Sequence, residues 1–429
     1  MSKAQTLKIA LLGAGSVGSQ VARLLLEMRE EYAARAGVVL ELAGIAVRNL
    51  DAQREVELPQ ELFTTDAADL VESADIVVEV MGGIEPARTL ILQALAAGKD
   101  VVTANKALIA AHGSELHETA AKHGAQLTYE AAVAGAIPIL RPLRDSLAGD
   151  RVQRVMGIVN GSTNYILDSM YRFNKTTEEA MKTASDLGYL EADPTLDVEG
   201  FDAASKATIL ARLAFHADVP ESAVHRVGIT GVSAEDVALA KENGEVIKLL
   251  AVTERVQGEK EESALAVRVQ PVLLPETHPL AGVQGGKNAI FVQADAAGEL
   301  FFAGAGAGGV ETASAVLGDL IVTARRVAAG GAAVAPTTHA KLPVLSYSES
   351  TAAWQVRVRL NGKPVAKINM KFSAKGVVAK VSHDREKDEL VLRTEQTPVA
   401  NLQAAVQHLQ NLVPEVEILS IIDVIEVSA

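Results

Sequence analysis

The chain has no cysteine among its 429 residues. Disulfide staples, thiolate nucleophiles and Cys-ligated zinc or iron–sulfur sites are therefore excluded. Aromatic residues are scarce, at 3%. Ala, Val, Leu and Gly dominate instead, a composition that suits tightly packed α/β layers better than a β-sandwich. No apolar run approaches the ~18–20 residues that cross a bilayer. The short run Leu7–Leu12 flows straight into a glycine loop, so neither a membrane span nor a signal peptide is expected. Positive charge is in deficit, with a net charge of −14, which argues against nucleic acid or an anionic membrane as partner. A local basic pocket for a phosphate remains compatible with that. None of the nine histidines falls in a HExxH-like pair. A soluble cytoplasmic protein is the expectation.

Hydrophobic residues make up 48% of the chain and charged residues 22%, enough for sizeable cores and, at this length, two or three domains. The first third reads as strands alternating with helices. Strands are expected at 7–12, 40–47, 74–80 and 100–103, with helices at 19–32 and 86–97. That alternation predicts a parallel, doubly wound Rossmann-type sheet. After about residue 135 the texture becomes α+β, with strands at 152–160, 267–274 and 289–295 and helices at 162–173, 176–187 and 201–216. A glycine loop at 300–310 leads into a helix reaching about 329, which returns to the first domain. The tail from about 350 reads β-α-β-β-α-β, the ferredoxin-like order. The expected organisation is a dinucleotide-binding domain at 1–135, completed by about 305–345. An α+β domain follows at 136–304, and a ferredoxin-like domain at 350–429.

Gly13-Ala14-Gly15-Ser16-Val17-Gly18 follows a strand and opens a helix, the context in which GxGxxG binds a dinucleotide. Gly13 permits the tight turn, Gly15 lets a pyrophosphate approach the backbone, and Gly18 lets helix and strand pack. The first turn, at Ser16 and Val17, supplies N–H groups and the positive end of a helix dipole. The second strand ends at Arg48 rather than at an acid. A guanidinium forks onto a 2′-phosphate, so NADPH is preferred, with NADH as the alternative. Gly82 lies at a strand's carboxyl end, where its small size leaves room for the cofactor. The segment 188–206 holds Glu191, Asp193, Asp197, Glu199 and Asp202 and ends in Lys206. Asp202 and Lys206 are four apart, on one helix face. This cluster reads either as an exposed ion-paired helix start or as a site that moves a proton.

Three motifs together resemble homoserine dehydrogenase: Thr103-Ala104-Asn105-Lys106, Gly161-Ser162-Thr163-Asn164-Tyr165-Ile166, and the acid-rich segment 188–206. With the glycine loop, the resemblance covers about residues 7–340. It implies reduction of L-aspartate 4-semialdehyde to L-homoserine with NAD(P)H, in threonine and methionine biosynthesis. By resemblance Lys206 is the proton donor, oriented by Asp202. Lys106 is a second catalytic lysine near cofactor and substrate, with Thr103 beside the cofactor. Glu191 and Asp197 attract the substrate ammonium. Glu130, with the carbonyls of Val133, Gly135 and Ile137, matches a loop that holds a sodium ion in the family. Gly306 belongs to a glycine loop expected to cover the nicotinamide side. A homodimer or homotetramer is implied, with catalysis and dimerisation falling to 136–304 and regulation to 350–429. Another amino- or hydroxy-acid dehydrogenase, and a nucleotide or amino-acid sensor without catalysis, stay open as alternatives.

Long members of the family end in an ACT-type domain that binds an amino-acid effector. The tail fits in strand order, but its first loop, Leu360-Asn361-Gly362-Lys363-Pro364-Val365-Ala366, lacks a glycine after the proline. That departure argues against an effector at this loop.

Overall fold

The structure is a computed structural model that describes residues 5–190, 193–257, 263–334 and 340–425. Glu191, one of the expected ammonium-binding acids, lies outside the described residues. The chain forms two compact units. The first comprises Met1–Arg151, Thr208–Glu221 and Phe302–Ala340, the second Val152–Ala207, Ser222–Phe301 and Lys341–Ala429. Elements are numbered in chain order.

The first unit carries β1 (Thr6–Leu12), β2 (Val39–Ala46), β3 (Phe63–Thr64), β4 (Ile76–Glu79), β5 (Asp100–Thr103) and β6 (Leu127–Thr128). Every neighbouring pair is parallel, in the order β3-β2-β1-β4-β5-β6. Parallel strands need cover on both faces. Ile9, Leu11, Ile76, Val78 and Val102 are buried on one face and Ala10, Leu12, Val77 and Val101 on the other. The cover comes from α1 (Ser16–Glu27), α2 (Arg29–Ala36), α3 (Ala67–Ser73), α4 (Ala87–Ala96) and α5 (Lys106–His123). The strand order reverses at β1 and β4, so the carboxyl ends there open a crevice. The returning helix, α11 (Gly309–Ala328), packs Ala313, Val316 and Leu320 into the same core as Val21 and Leu25 of α1, as expected.

Two local expectations differ from what forms. The single helix read over 19–32 is broken at Met28, whose backbone leaves helical geometry (φ −105°, ψ 24°). Leu25 and Tyr32, on either side of the break, lie in one core. The helix α5 was not read from the pattern at all. Its run KALIAAHGSELHETAAKH is rich in alanine and interrupted by Gly113 and two histidines, so no sharp apolar stripe marks it. Its start is local chemistry: the Asn105 side chain accepts from the Leu108 amide at 3.1 Å, capping the helix.

The second unit begins with β7 (Val152–Ile158), α6 (Gly161–Phe173), α7 (Thr177–Asp186), α8 (Thr195–Val198) and the start of α9 (Phe201–Phe215), whose residues from Thr208 on belong to the first unit. It continues with β8 (His225–Arg226), α10 (Ala234–Glu242), β9 (Glu245–Gln257), β10 (Ser263–Pro275) and β11 (Lys287–Ala294). The strand β12 (Gly298–Ala305) takes up the first half of what reads in sequence as a glycine loop. The tail holds β13 (Thr351–Arg359), α12 (Val365–Ser373), β14 (Ala379–Asp384), β15 (Glu389–Thr394), β16 (Thr397–Pro398), α13 (Val399–Leu412) and β17 (Glu417–Val424).

The tail strands run β17-β13-β15-β14, all antiparallel to their neighbours, which is the ferredoxin-like arrangement. They are continuous with the preceding strands. β17 pairs in parallel with β10 through Val272–Asp423 and Leu273–Val424, completing one 11-stranded sheet. Buried charges reinforce that seam, with Arg268 on Glu254 and, at 3.7 Å, on Asp423. Burial raises the Asp423 carboxyl to about 6, against the opposing pull of Arg268.

Candidate active site

The nucleotide groove of the first unit opens at the carboxyl ends of β1, β2 and β4. It is lined by Gly13, Gly15, Arg48, Met81, Gly82 and Gly83, among others. Gly13 sits at φ 105°, a conformation that favours glycine, and its amide donates to the Ala46 carbonyl at 2.9 Å. A Cβ on Gly18 would overlap the Gly13 carbonyl oxygen and lie 3.0 Å from Val80. At Gly15 a Cβ would meet nothing within 4 Å, so the space above that residue is open. Ser16 starts α1, with Gly18 buried in its first turn. The start of α11 lies beside it: a Cβ on Gly309 would be 2.8 Å from the Ser16 carbonyl oxygen. Two helix N-termini thus converge beside an open, glycine-lined crevice, a setting that fits a pyrophosphate. Gly306 itself is packed against Gly135, whose Cβ would lie 2.6 Å from the Gly306 carbonyl.

A buried carboxylate that the sequence reading missed organises the far wall of this groove. Glu79, at the end of β4, is fully buried. It accepts from the Met81 and Gly82 amides at 2.7 and 3.2 Å, and from the Thr103 hydroxyl at 2.5 Å. Burial raises its carboxyl above the usual range, and those hydrogen bonds pull it back down. Thr103 Oγ1 also accepts from the Asn105 amide, and Asn105 Nδ2 donates to the Gly83 carbonyl at 2.6 Å. The Met81–Gly83 turn and the Thr103–Lys106 strand end are therefore one hydrogen-bonded assembly. Lys106 is exposed as the first residue of α5.

Arg48 is exposed on the loop after β2. Arg54, a second arginine lining the groove, holds that loop in shape. Its Nη1 donates to the Ala52 carbonyl at 2.9 Å and its Nη2 to the Asn49 carbonyl at 2.8 Å. Its guanidinium lies 4.3 Å from the centre of the Phe63 ring. The pattern reading had no signal for Arg54, because its role depends on Phe63 and on the fold of the loop.

In the second unit, Lys206 and Asp202 point inward from one face of α9. The Lys206 side chain is only 11% exposed and that of Asp202 7%, so the pair is not the solvated helix couple that the i,i+4 spacing also allows. Lys206 Nζ lies 2.7 Å from Asp202 Oδ2 and donates to the Val159 carbonyl at 2.6 Å. Asn160, just past β7, joins the acids. Its Nδ2 donates to Asp202 at 3.0 Å and to Asp197 at 2.6 Å, while its Oδ1 caps α6 through the Thr163 amide and hydroxyl. The cap pins the Asn160 side chain, and Asn160 in turn orients both carboxylates. Sequence reasoning missed Asn160. Its partners lie 37 and 42 residues away, and only its place just before the Gly161 motif hinted at a role.

The expected cation loop lies within the first unit. The residues Val133, Gly135 and Ile137 are buried, and among the described residues no hydrogen bond ends on their carbonyls. Such free oxygens suit a hard monovalent cation. The Glu130 carboxylate is engaged elsewhere. It accepts from the Ile139, Leu140 and Arg141 amides at 2.6, 2.8 and 2.8 Å and from Arg141 Nε at 3.1 Å. It therefore fits as a nearby negative charge rather than as an open ligand. Its amide donates to Asp319 of α11 at 2.7 Å. Burial pushes the Asp319 carboxyl up to about 7, with the Glu130 charge adding to the effect and the Glu130 amide and Arg141 opposing it.

This shift has a pH consequence. Folded Asp319 keeps its proton to higher pH than the unfolded chain does, so unfolding releases protons above the ordinary carboxyl range. Stability is lost as pH rises toward about 7. Asn cannot ionise. The variant Asp319→Asn is expected to gain on wild type by on the order of 2 kcal/mol between about pH 5 and about pH 8. Urea midpoints at the two pH values measure it, and a constant difference would refute the buried, raised carboxyl.

Comparisons with known proteins identify the chain's relatives. Residues 13–130 match the family model described as the homoserine dehydrogenase NAD-binding domain, and residues 138–321 match that of homoserine dehydrogenase. The chain is 47% identical to the homoserine dehydrogenase of Corynebacterium glutamicum, over 94% of this chain and 92% of that one. A homoserine dehydrogenase crystal structure from Thiobacillus denitrificans superposes with a TM-score of 0.90 at 35% identity, covering 98% of this chain and 99% of the other. A hyperthermophilic archaeal homoserine dehydrogenase in complex with NADPH matches with a TM-score of 0.62 at 29% identity, over 74% of this chain and 98% of that one. With a three-two-one-four-five-six parallel sheet, a glycine-lined nucleotide groove and a buried lysine among carboxylates, the chain belongs to the homoserine dehydrogenase family of oxidoreductases.

Proposed function

We propose that the chain interconverts L-aspartate 4-semialdehyde and L-homoserine with NADPH, in the branch of metabolism that leads to threonine and methionine. The observation that carries this is the buried Lys206 ammonium, held by Asp202 and the Val159 carbonyl. When bound, the nicotinamide supplies a hydride to the aldehyde carbon. The oxygen of that carbonyl then needs a proton, and Lys206 gives it, or takes it in the oxidative direction. Asp202 stabilises the ammonium and aims it. Asp197, half-buried and held by Asn160, attracts the substrate ammonium together with Glu191. Lys106 steadies the substrate beside the cofactor. On the nucleotide side, Gly13, Gly15, Gly18 and the first-turn amides of Ser16 and Val17 receive the pyrophosphate. Gly82, Thr103 and Gly306 shape the nicotinamide end. The carbonyls of Val133, Gly135 and Ile137 would hold a sodium ion, with Glu130 supplying charge from behind, so that the cation braces the loop rather than touching the reaction.

The assay is NADPH oxidation with aspartate semialdehyde. No turnover there, with turnover on another hydroxy acid, would return the chain to the broader class of dehydrogenases. Arg48 decides the nucleotide preference. The variant Arg48→Ala is expected to weaken NADPH on the order of tenfold and leave NADH nearly unchanged, as loss of one guanidinium–phosphate fork predicts. Equal losses for both cofactors would remove Arg48 from the 2′-phosphate.

The tail is ACT-like in strand order, and an amino-acid effector there is the family's expectation. Its first loop is internally closed. The Gly362 amide donates to Asp388 at 2.8 Å, Asn361 to the Glu415 carbonyl at 2.7 Å, and Lys363 pairs with Glu415 at 2.9 Å. This argues against effector binding at that loop; the homodimer or homotetramer remains what the family implies.

A further inference from the structure

The first unit contains a second basic site, away from the nucleotide groove. Arg141, Arg144 and Arg212 line one narrow cavity, together with Gln126, His117 and Tyr129. Two of these arginines sit where helix glycines make room for them. A Cβ on Gly113, inside α5, would collide with Arg212 Nη1, and one on Gly318, inside α11, would lie 2.9 Å from Arg141 Nη2. Glycine is among the poorest residues for a helix interior. Two interior glycines therefore open space for guanidinium groups of a single cavity.

Those groups have unused donors. Arg212 Nη1 is buried without a hydrogen-bond partner among the described residues, while its Nη2 is taken by Ser114 and Asp218. Arg144 forks onto Asp145 through Nε and Nη2 at 2.8 and 2.9 Å, and none of the described hydrogen bonds uses its Nη1. Arg141 is bound through Nε to Glu130 and, at 3.4 Å, to Asp319, with no described hydrogen bond from Nη1 or Nη2.

Each guanidinium already has a carboxylate beside it: Arg141 has Glu130 and Asp319, Arg144 has Asp145, and Arg212 has Asp218. Burial raises the Asp319 carboxyl to about 7, which weakens its share of that pairing. His117 is neutral, pushed down to about 4 by burial and by Arg212 and Arg144. What the cavity offers a ligand is therefore the guanidinium N–H groups that these pairs leave over, not a large excess of positive charge. It also holds an unmatched acceptor: Gln126 is 7% exposed and its Oε1 has no partner among the described residues.

We propose that this cavity binds inorganic phosphate. The ligand that answers both the free arginine donors and the free Gln126 acceptor is an oxyanion that carries its own O–H. Hydrogenphosphate is the simplest, and sulfate, which has no proton at neutral pH, is the natural contrast. The site lies behind α5 and the Glu130 loop, so occupancy would tie α5, α11 and the segment around Arg141 together.

Isothermal titration of the full chain with inorganic phosphate and with sulfate, at constant ionic strength and neutral pH, tests this. Saturable phosphate binding is expected, with sulfate roughly tenfold or more weaker. Arg144→Gln breaks only a pairing with exposed Asp145, so the chain should fold, yet it should weaken phosphate by roughly tenfold or more. Gln126→Leu removes no described side-chain hydrogen bond and should erase the preference for phosphate over sulfate. Arg48→Ala, in the nucleotide groove, should leave phosphate binding intact. Four outcomes overturn the proposal: no saturable binding, equal affinity for the two anions in wild type, indifference to Arg144→Gln, or loss of binding in Arg48→Ala.

Discussion

Replacing Lys206 with methionine is expected to lower kcat for aspartate semialdehyde reduction by on the order of a thousandfold, the range set by removing a general acid. NADPH affinity should change little, because the groove that holds the nucleotide is built from β1, β2 and β4 and contains no residue of α9. The substitution also has a structural effect. It strips Asp202 and the Val159 carbonyl of a donor, and a broken buried pair destabilises by about 3–5 kcal/mol. Methionine keeps most of the side chain's volume, and Asn160 still donates to Asp202 at 3.0 Å. Thermal melting and NADPH titration would show whether the chain remains folded. Turnover within about tenfold of wild type, in a folded variant that binds NADPH, would remove Lys206 from proton transfer. Asp202→Asn should give a smaller loss, because Asn can still receive a hydrogen bond from the ammonium but supplies no charge.

Gly18→Val should have the next largest effect, on cofactor and stability together. Its Cβ would overlap the Gly13 carbonyl and crowd Val80. Neither is the far end of a flexible chain. The turn must move, and overpacking of this kind destabilises by about 1–3 kcal/mol. NADPH affinity is expected to fall on the order of a hundredfold as the turn that faces the pyrophosphate shifts. Gly15→Ala is the informative control. Its Cβ meets nothing within 4 Å, so its melting temperature should stay near that of wild type while its NADPH affinity falls. If Gly15→Ala binds NADPH normally, the open space above Gly15 is not where the pyrophosphate sits.

Much of this site was legible in sequence because its signals are local. The GxGxxG loop needs only a strand before it and a helix after it, and Asp202 and Lys206 share a face because they are one turn apart. The run 19–32 shows how local reading fails: it looks like one helix, but the backbone leaves helical geometry at Met28. The strand β12 was hidden for a similar reason. Its glycines suggest a loop, and only pairing along β11 makes it a strand.

The residues that escaped notice are polar groups whose meaning lies in distant partners. Glu79 is an ordinary glutamate until burial and three donors make it the hub beneath the Met81–Gly83 turn. Asn160 gains its role from Asp197 and Asp202, and Asp319 from Glu130, 189 residues earlier in the chain. Gly113 and Gly318 look like helix defects until Arg212 and Arg141 fill the space beside them.

By itself, the sequence determined the parallel α/β class, the nucleotide loop, the ferredoxin-like order of the tail and the lysine at the end of the acid-rich segment. These follow from hydrophobic period, glycine placement and spacing within a few residues. Tertiary structure alone decided that Lys206 is buried rather than solvated and that Asn160 joins the two acids. It also decided that Glu130 is already satisfied and that the tail's last strand completes the preceding sheet. Burial and long-range hydrogen bonding set those outcomes, and both depend on which distant segments the folded chain brings together.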